Sequence, residues 1–347
     1  MIGPKMNACE RTLDFIQQKP VDRLPFHPII MRFAARHAGV RYREFCLDYR
    51  CKCAAMLKCA QDFGIDWITV MSDPYAEAEA FGMLIDYPTD NLPIPCNLLI
   101  IEPGDIDDLI LPEVEQSPRL LNRVNEIARF KQLIGDTYFV VGWVEGPLAC
   151  YANLRGFQKA CLDLFEHPGA VARAVDLFRR TAFDFIARQI EAGAHCIGIG
   201  DAVCSQIGPE LYARYGFPGE KDIVEFIHSR GALAKLHICG DTTAILPMMI
   251  ETGADIIDVD HAVAEIARFA PLLSEHQVFS GNSDPVSVIQ NGTEKSINES
   301  VRKACRSSGG RCIVSAGCEI TPDTNIDNLM FLGATARSAW KELKNEH

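Results

Sequence analysis

The sequence has no excess of positive charge. Its 347 residues carry 34 Lys and Arg against 46 Asp and Glu, which leaves a formal net charge of −12. Nucleic acids and anionic membrane surfaces attract basic protein faces, so this balance argues against either as the main partner. We therefore expect no nucleic-acid partner and no membrane partner.

The sequence also lacks a long apolar run. Runs such as YFVVGWV at 138–144 are much shorter than the roughly 20 residues that a membrane-spanning helix needs. Residues 1–15 lack the apolar core of a signal peptide. We therefore expect a cytoplasmic protein whose 14 cysteines are free thiols, buried side chains or metal ligands and do not form a disulfide framework.

Nucleotide-binding signatures and internal repeats are missing as well. GIGDAV at 198–203 follows a predicted strand, but it has no third glycine of a dinucleotide loop and no phosphate-binding lysine. These absences argue against a nucleotide-dependent enzyme.

Eight short apolar runs rich in β-branched residues predict strands. Several are apolar throughout, as expected for strands that are buried on both faces. The predicted strands cover 24–30, 66–71, 138–144, 195–200, 233–238, 256–259, 277–281 and 311–316.

Segments of helical period lie between most of these strands. RAVDLFRRTAFDFIARQIEAG, for example, repeats apolar residues every three or four positions and stops at Gly193. Such alternation predicts an α/β fold with a parallel sheet, and eight units fit a closed (β/α)8 TIM barrel better than an open sheet. We expect one barrel domain over residues 1–347, with an N-terminal helical segment at 1–23 and a lid over the site at 73–112.

Polar and soft side chains follow the predicted strands. In barrels of this type the chemistry lies beyond the carboxyl ends of the strands. The residues found there are Asp73, Glu145, Asp201, His237, Cys239, Asp260, His261, Asn282, Asp284, Cys318 and Glu319.

A histidine and a cysteine end the fifth predicted strand, in KLHICGDTT at 235–243. Residues i and i+2 of a strand share a face, so His237 and Cys239 can converge on one ion. Cys318, in SAGCEIT after the eighth strand, is placed to meet them across the barrel mouth. The alternative is that all three are ordinary core residues, because cysteine is so often simply buried.

With these residues the chain resembles a known family, the uroporphyrinogen decarboxylase superfamily. Within that superfamily it resembles the zinc-dependent corrinoid methyltransferases. The likeness covers nearly the whole chain and implies a (β/α)8 barrel. It rests on segments that occur in family order: PVDRLPFHPIIMRFAARHAG, SDPYAEAEAFG, GWVEGPLACYANLRG, GDAVCSQIGPELYARYGFP, KLHICGD, DVDHAV and GNSDP.

The two branches of the superfamily differ in chemistry. Decarboxylases bind a tetrapyrrole without a metal, and Asp73 matches the aspartate that holds the pyrrole nitrogens. Asn153 and Ala202 stand where decarboxylases have a tyrosine and a serine, and SAGCEIT replaces their C-terminal histidine. The methyltransferase branch instead has H-x-C on strand five and a cysteine after strand eight, as this chain does. A metal-free decarboxylase is the alternative function.

The resemblance implies zinc bound by His237, Cys239 and Cys318, with an open position for substrate. It also implies a corrinoid carried on a partner protein and a small-molecule methyl donor or acceptor. Two uses of the zinc stay open. It can bind a substrate thiol such as coenzyme M, or it can act as a Lewis acid on an O- or N-methyl donor.

Two carboxylates are the predicted catalytic groups. Glu145 is interpreted as a fourth zinc ligand or as a proton carrier, and otherwise as a solvated loop carboxylate. Asp201 is interpreted as the partner that orients His237 or as a substrate contact, and otherwise as a helix cap.

Five further residues are predicted to bind substrate. Arg32 and Arg36 lie one helical turn apart and can clamp a carboxylate, a sulfonate or a corrinoid side chain, or they are a plain surface pair. Asp73, His261 and Asn282 complete the predicted substrate-binding set.

Overall fold

A computed structural model describes residues 6–343 and shows an α/β barrel. The strands are β1 (Trp67–Thr69), β2 (Ile85–Asp86), β3 (Ile94–Pro95), β4 (Phe139–Glu145), β5 (Cys196–Gly200), β6 (Leu233–Ile238), β7 (Ile256–Val259), β8 (Val278–Ser283) and β9 (Cys312–Ala316). Seven of them form one parallel sheet in the order β1-β4-β5-β6-β7-β8-β9, and β2 and β3 form a separate antiparallel pair.

The segment 24–30 closes the sheet into a ring. Phe26 forms a parallel bridge with Val314, and Ile29 forms one with Glu319. On the other side, the carbonyl of Phe26 accepts a hydrogen bond from the amide of Asp66. The eight-part barrel predicted from the sequence is therefore present, although its first part consists of isolated bridges and not of a continuous strand.

Helices surround the sheet and cover its outer face. They are α1 (Ala8–Ile16), α2 (Arg32–Ala38), α3 (Tyr42–Leu47), α4 (Tyr49–Phe63), α5 (Ala76–Ala80), α6 (Pro118–Ile134), α7 (Pro147–Arg155), α8 (Phe157–Glu166), α9 (Pro168–Glu191), α10 (Gly208–Leu211), α11 (Phe217–Ser229), α12 (Leu246–Glu251), α13 (Glu294–Ser307) and α14 (Ile326–Leu343). Short 3-10 helices cover Pro103–Asp108, Val114–Gln116, Ala202–Gln206, Ile266–Arg268 and Ala270–Leu272, and π-helical turns cover Tyr212–Gly216 and Pro285–Gln290. Among the described helices, none combines the length and the apolar character that crossing a membrane would take.

The start of the chain and the excursion after β1 both contain regular structure. Of the predicted helical segment 1–23, residues 1–5 lie outside the described residues, and α1 begins after a capping box made by Asn7 and Glu10. The excursion 73–112 contains α5, the β2–β3 pair and a 3-10 helix. Its backbone joins the barrel where the amides of Leu99 and Ile100 donate to the carbonyl of Leu154. That the excursion 73–112 acts as a lid over the site stays a prediction.

A tryptophan fills the barrel interior next to two glycines of β5. A Cβ added at Gly200 would lie 2.6 Å from Cζ2 of Trp143, and one added at Gly198 would lie 2.4 Å from its Cε3. Only glycine therefore lets the indole ring lie flat across β5. This packing directs the indole nitrogen toward the carboxyl end of β4, where the polar residues of the site begin.

Candidate metal centre

Three side chains that the sequence predicted as metal ligands converge at the barrel mouth. Nε2 of His237 lies 3.0 Å from Sγ of Cys239, and this sulfur lies 3.7 Å from Sγ of Cys318. All three ligand atoms lie within 4.8 Å of one another. Ligand atoms of a tetrahedral zinc ion are about 3.5 Å apart, because the bonds are about 2.0–2.3 Å long. One imidazole and two thiols at these separations fit zinc.

The ends of two strands place these ligands. His237 and Cys239 share a face because they are two residues apart at the end of β6, and Cys318 follows β9 by two residues. A Cβ added at Gly317 would lie 2.2 Å from the amide nitrogen of His261. Glycine therefore lets the loop that carries Cys318 approach the loop after β7 closely.

Asp258, which was not singled out from the sequence, lies beside the imidazole of His237. It pairs with His237 in the register of β6 and β7, and its Oδ2 lies 3.1 Å from Nδ1 of His237. The same oxygen lies 2.7 Å from Nζ of Lys235. A carboxylate on the far nitrogen of a ligating histidine fixes the ring and its tautomer.

Asp260 supports the loop that carries Cys239. Its Oδ2 accepts a hydrogen bond of 2.9 Å from the amide of Gly240, and its Oδ1 accepts one of 2.9 Å from the amide of Ala262. The alternation in DVDH places Asp258 and Asp260 on one face of β7 and its continuation, which is the sequence signal that could have pointed to both.

The protonation of the three ligands follows from their contacts. Burial alone would lower the pKa of His237, but hydrogen bonding to Asp258 and Cys318 and the negative charges of these two groups raise it to about 10. The hydrogen bond from Cys239 is the main reason why the pKa of Cys318 falls to about 4. The same contact, with burial, raises the pKa of Cys239. At neutral pH the metal-free centre therefore holds an imidazolium, one thiol and one thiolate.

Glu145 lies at the end of β4, outside the group of three ligands. It pairs with Gly200 in the sheet register, and Gly200 pairs with His237. Strand β5 therefore separates Glu145 from His237, and at this level it contributes only a glycine. Its Oε1 accepts a 2.9 Å hydrogen bond from Nε1 of Trp143. Burial, followed by the charge of Glu77, raises the pKa of Glu145 to about 8. Protonation at neutral pH suits a proton carrier, and both predicted roles of Glu145 stay predictions.

The structure contradicts the interpretation of Asp201 as the partner that orients His237. Its carboxylate accepts hydrogen bonds from the amides of Leu148 (3.3 Å) and Ala149 (2.8 Å) and so caps the N-terminus of α7. The carboxylate beside the His237 ring is that of Asp258, which stands opposite His237 on β7, whereas the residue opposite His237 on β5 is Gly200. Asp201 contacts His237 through its backbone, whose amide donates to the His237 carbonyl over 3.2 Å. Contact of Asp201 with substrate stays a prediction.

Asp201 also belongs to a second group of buried acids. Burial raises the pKa of Asp201 to about 7. A carboxylate oxygen of Asp201, the sulfur of Cys204 and a carboxylate oxygen of Glu220 all lie within 4.8 Å of one another. Glu220 also accepts a 2.6 Å hydrogen bond from the Tyr212 hydroxyl.

The Asp73 carboxylate is buried in an ion pair. It contacts the guanidinium of Arg119 and accepts a 2.6 Å hydrogen bond from the Ser72 hydroxyl. Burial acts to raise the pKa of Asp73, but the charges of Arg119 and Arg123 outweigh it and lower the pKa to about 2. The substrate-binding role of Asp73 stays a prediction.

Arg32 and Arg36 line a cavity of about 540 Å³ together with Arg41 and Tyr42. The backbone amide of Arg32 donates to Glu319 over 3.1 Å, and its Nε lies 3.6 Å from the same oxygen. Arg36 forms an exposed ion pair with Asp323. Both arginines thus face a cavity, each beside an acidic partner, and binding of an anionic substrate group there stays a prediction.

His261 and Asn282 lie at the loop after β7. Nδ1 of His261 lies 2.8 Å from Asp260, and its side chain is 42% exposed. The Asn282 amide donates to the carbonyls of Asp260 and Val263, each over 2.9 Å, and so holds the loop. Their predicted contact with substrate stays untested.

Comparisons with known proteins show which family the chain resembles. Residues 7–339 match the family model described as uroporphyrinogen decarboxylase (URO-D). The curated methylcobamide:CoM methyltransferase MtbA of Methanosarcina mazei is 26% identical over 334 residues, which is 92% of this chain and 96% of that protein. A uroporphyrinogen decarboxylase of Prochlorococcus marinus is 28% identical over 221 residues, covering 61% of this chain and 62% of its own.

Among solved structures, a methyltransferase from Methanosarcina mazei superimposes with a TM-score of 0.87 at 19% identity, over 97% of this chain and 99% of that chain. Identity this low establishes the barrel fold alone.

Proposed function

The chain belongs to the uroporphyrinogen decarboxylase (URO-D) family, and we propose that within it this protein is a zinc-dependent methyltransferase. The methyl group moves between a corrinoid carried on a partner protein and a small substrate. The observation that carries the proposal is the convergence of His237, Cys239 and Cys318, whose ligand atoms lie within 4.8 Å of one another. The methylcobamide:CoM methyltransferases that match over most of both chains support it.

Zinc bound by these residues would supply Lewis acidity, either to a substrate thiol or to the leaving oxygen or nitrogen of a methyl donor. The Nε2 atom of His237 and the two sulfurs would be its protein ligands. Asp258 holds the imidazole by its other nitrogen. Asp260 holds the turn after Cys239. With these three protein ligands, a tetrahedral zinc ion would keep one position for substrate.

Glu145 is the proton carrier of this proposal. Its raised pKa keeps a proton on the carboxyl at neutral pH, and Trp143 fixes its Oε1. The glycine between Glu145 and His237 in the sheet register leaves the space over β5 to the indole of Trp143. Glu145 is therefore suited to protonate a leaving oxygen or nitrogen.

The alternative function is decarboxylation of a tetrapyrrole, which the aligned decarboxylases favour. That reaction would use Asp73 to hold the pyrrole nitrogens. Here the Asp73 carboxylate is buried and paired with Arg119. The methyltransferase proposal therefore has the better support.

The test combines metal analysis with methyl transfer. Purified protein should contain one zinc ion, and His237→Ala and Cys318→Ala should each lose it. Cys96→Ala is the control, since Cys96 is an exposed thiol that does not belong to the group of three ligands. Methyl transfer is followed by the spectral change of methylcobalamin on demethylation with a thiol acceptor. Metal-free protein that transfers methyl groups at the full rate would refute the proposal, and turnover of a porphyrinogen without zinc would favour the alternative.

A further inference from the structure

Lys235 is a buried cation that the proposed reaction does not use. It lies on β6 two residues before His237, on the same face of the strand, and its side chain is 1% exposed. Lysine is almost never fully buried unless it is paired. Its partner is Asp258, whose Oδ2 lies 2.7 Å from Nζ.

One oxygen atom of Asp258 serves two nitrogens. Oδ2 lies 2.7 Å from Nζ of Lys235 and 3.1 Å from Nδ1 of His237. The strand register explains this, because His237 stands opposite Asp258 and Lys235 stands opposite Ile256, one step deeper in the barrel. The ammonium therefore holds the oxygen from below while the imidazole meets it from the mouth side.

Two tryptophans hold the ammonium in place. Nζ of Lys235 lies 5.9 Å from the ring centroid of Trp67 and 6.0 Å from that of Trp143. A cation at this distance from an indole face is attracted by the ring. Trp143 is itself fixed by its hydrogen bond to Glu145 and by its packing over Gly200. The position of Nζ is therefore determined by rigid neighbours on three strands.

We propose that Lys235 is a positioning residue for the metal ligand His237 and that it acts through Asp258. A carboxylate in this dry interior needs a counter-charge, and Lys235 supplies it at a fixed place. Oδ2 then stays within 3.1 Å of Nδ1, while Nε2, on the other side of the ring, lies 3.0 Å from the Cys239 sulfur. The inference rests on the proposed function, because it assigns Lys235 a role in holding zinc.

An opposing effect makes the proposal testable. The Lys235 ammonium also repels a divalent cation at the mouth, so removal of its charge could by itself tighten zinc binding. If positioning outweighs repulsion, Lys235→Met weakens the binding of zinc to metal-free protein. Partners of metal-ligating histidines are typically worth about 10–100-fold in affinity, and we expect a loss of at least about tenfold.

The measurement is the zinc dissociation constant, obtained by competition with a chromophoric chelator. Lys52→Met is the matched control. Lys52 is also a buried lysine, its Nζ lies 2.7 Å from Oε2 of Glu126, and both side chains are 0% exposed. It lies on α4, outside the barrel, so its loss removes a similar ion pair without touching the metal centre. Zinc affinity should not change in Lys52→Met.

A double-mutant cycle separates positioning from general destabilisation. Asp258→Asn should weaken zinc binding, and adding Lys235→Met to it should cause no further loss, because the intermediary is already gone. The absorption spectrum of bound Co2+ should change in both single variants and not in Lys52→Met. Should Lys235→Met fail to fold, Lys235→Gln replaces it, since it is uncharged and keeps a hydrogen-bond donor.

The outcomes are distinguishable. Wild-type protein that binds no zinc would refute the proposed function. Wild-type protein that binds zinc, with Lys235→Met binding it equally well or more tightly, would overturn the role of Lys235 alone. Losses that multiply in the double variant would also overturn that role, because they would show that Lys235 does not act through Asp258.

Discussion

The sulfur atoms of Cys239 and Cys318 lie 3.7 Å apart, although 79 residues separate them in the chain. They meet because β6 and β9 both end at the barrel mouth. The contact joins the turn after β6, held by Asp260, to the loop after β9, held by the close approach at Gly317.

Oxidation should link the two cysteines only when the metal is absent. A disulfide bond is about 2.05 Å long, so the sulfurs need to approach by less than 2 Å. We expect a mild oxidant to join Cys239 and Cys318 in chelator-treated protein and zinc to suppress the reaction. Peptide mass spectrometry checks this, and the exposed Cys96 should be alkylated equally in both states. Equal cross-linking with and without zinc would contradict the assignment of these sulfurs as ligands.

Zinc binding should release about two protons at pH 7. His237, whose pKa is raised to about 10, and Cys239, whose pKa is raised, are protonated there, while Cys318, with a pKa of about 4, is not. Ligands must lose their protons to bind the metal, so affinity should rise steeply with pH up to about pH 10, where His237 loses its proton without the metal. Calorimetry in buffers of different ionisation enthalpy counts the protons. Release of fewer than one proton would show that the centre is not the zinc site.

Glu145→Gln should separate the two directions of methyl transfer. With an O- or N-methyl donor, a protonated Glu145 supplies the proton of the leaving group, so the variant should lose about 10²–10⁴-fold in kcat. Because the pKa of Glu145 is raised to about 8, the wild-type rate should be high below that pH and fall above it. Thiol methylation should show neither effect. A variant with unchanged rates on both substrate classes would remove Glu145 from the mechanism.

Gly200→Ala should destabilise the barrel interior. The added Cβ would lie 2.6 Å from the Trp143 ring, and overpacking of this kind typically costs about 1–3 kcal/mol. Urea unfolding measures the change. The control is Gly104→Ala, where an added Cβ meets no atom within 4 Å. Equal stability of the two variants would contradict the packing of Trp143 against β5.

Asp73→Asn should reduce stability while zinc content is unchanged. Arg119 keeps its second acidic partner, Glu79, 3.3 Å away, so the loss should be smaller than the roughly 3–5 kcal/mol that is typical of a buried charge left without any partner. Because the pKa of Asp73 is lowered, its ion pair stabilises the fold fully when the pH is above the ordinary pKa of an aspartate. This stabilisation is lost as the pH falls toward 2. Acid unfolding should therefore begin at a higher pH in the variant. A fully stable variant with impaired substrate affinity would instead show that Asp73 binds substrate.

The amino-acid sequence by itself determined the barrel and pointed to His237, Cys239 and Cys318 as candidate metal ligands. Continuous apolar runs separated by helical period located the strands to within a few residues, because a strand buried on both faces tolerates few polar side chains. The alternation of a strand placed His237 and Cys239 on one face. Cys318 was predicted from the ends of parallel strands and from the resemblance, and the structure brings its sulfur to the other two.

Only the tertiary structure decided which carboxylates surround the metal centre. From the sequence, Asp201 was predicted to orient His237 and Asp258 was not singled out, but the register of β6 against β7 places Asp258 beside the imidazole of His237. No local pattern singled out Lys235 in the apolar strand β6, because its ion pair with Asp258 also depends on the register of β6 against β7. Register depends on how neighbouring strands twist and pack, and these are contacts between residues far apart in the chain, which no local pattern records.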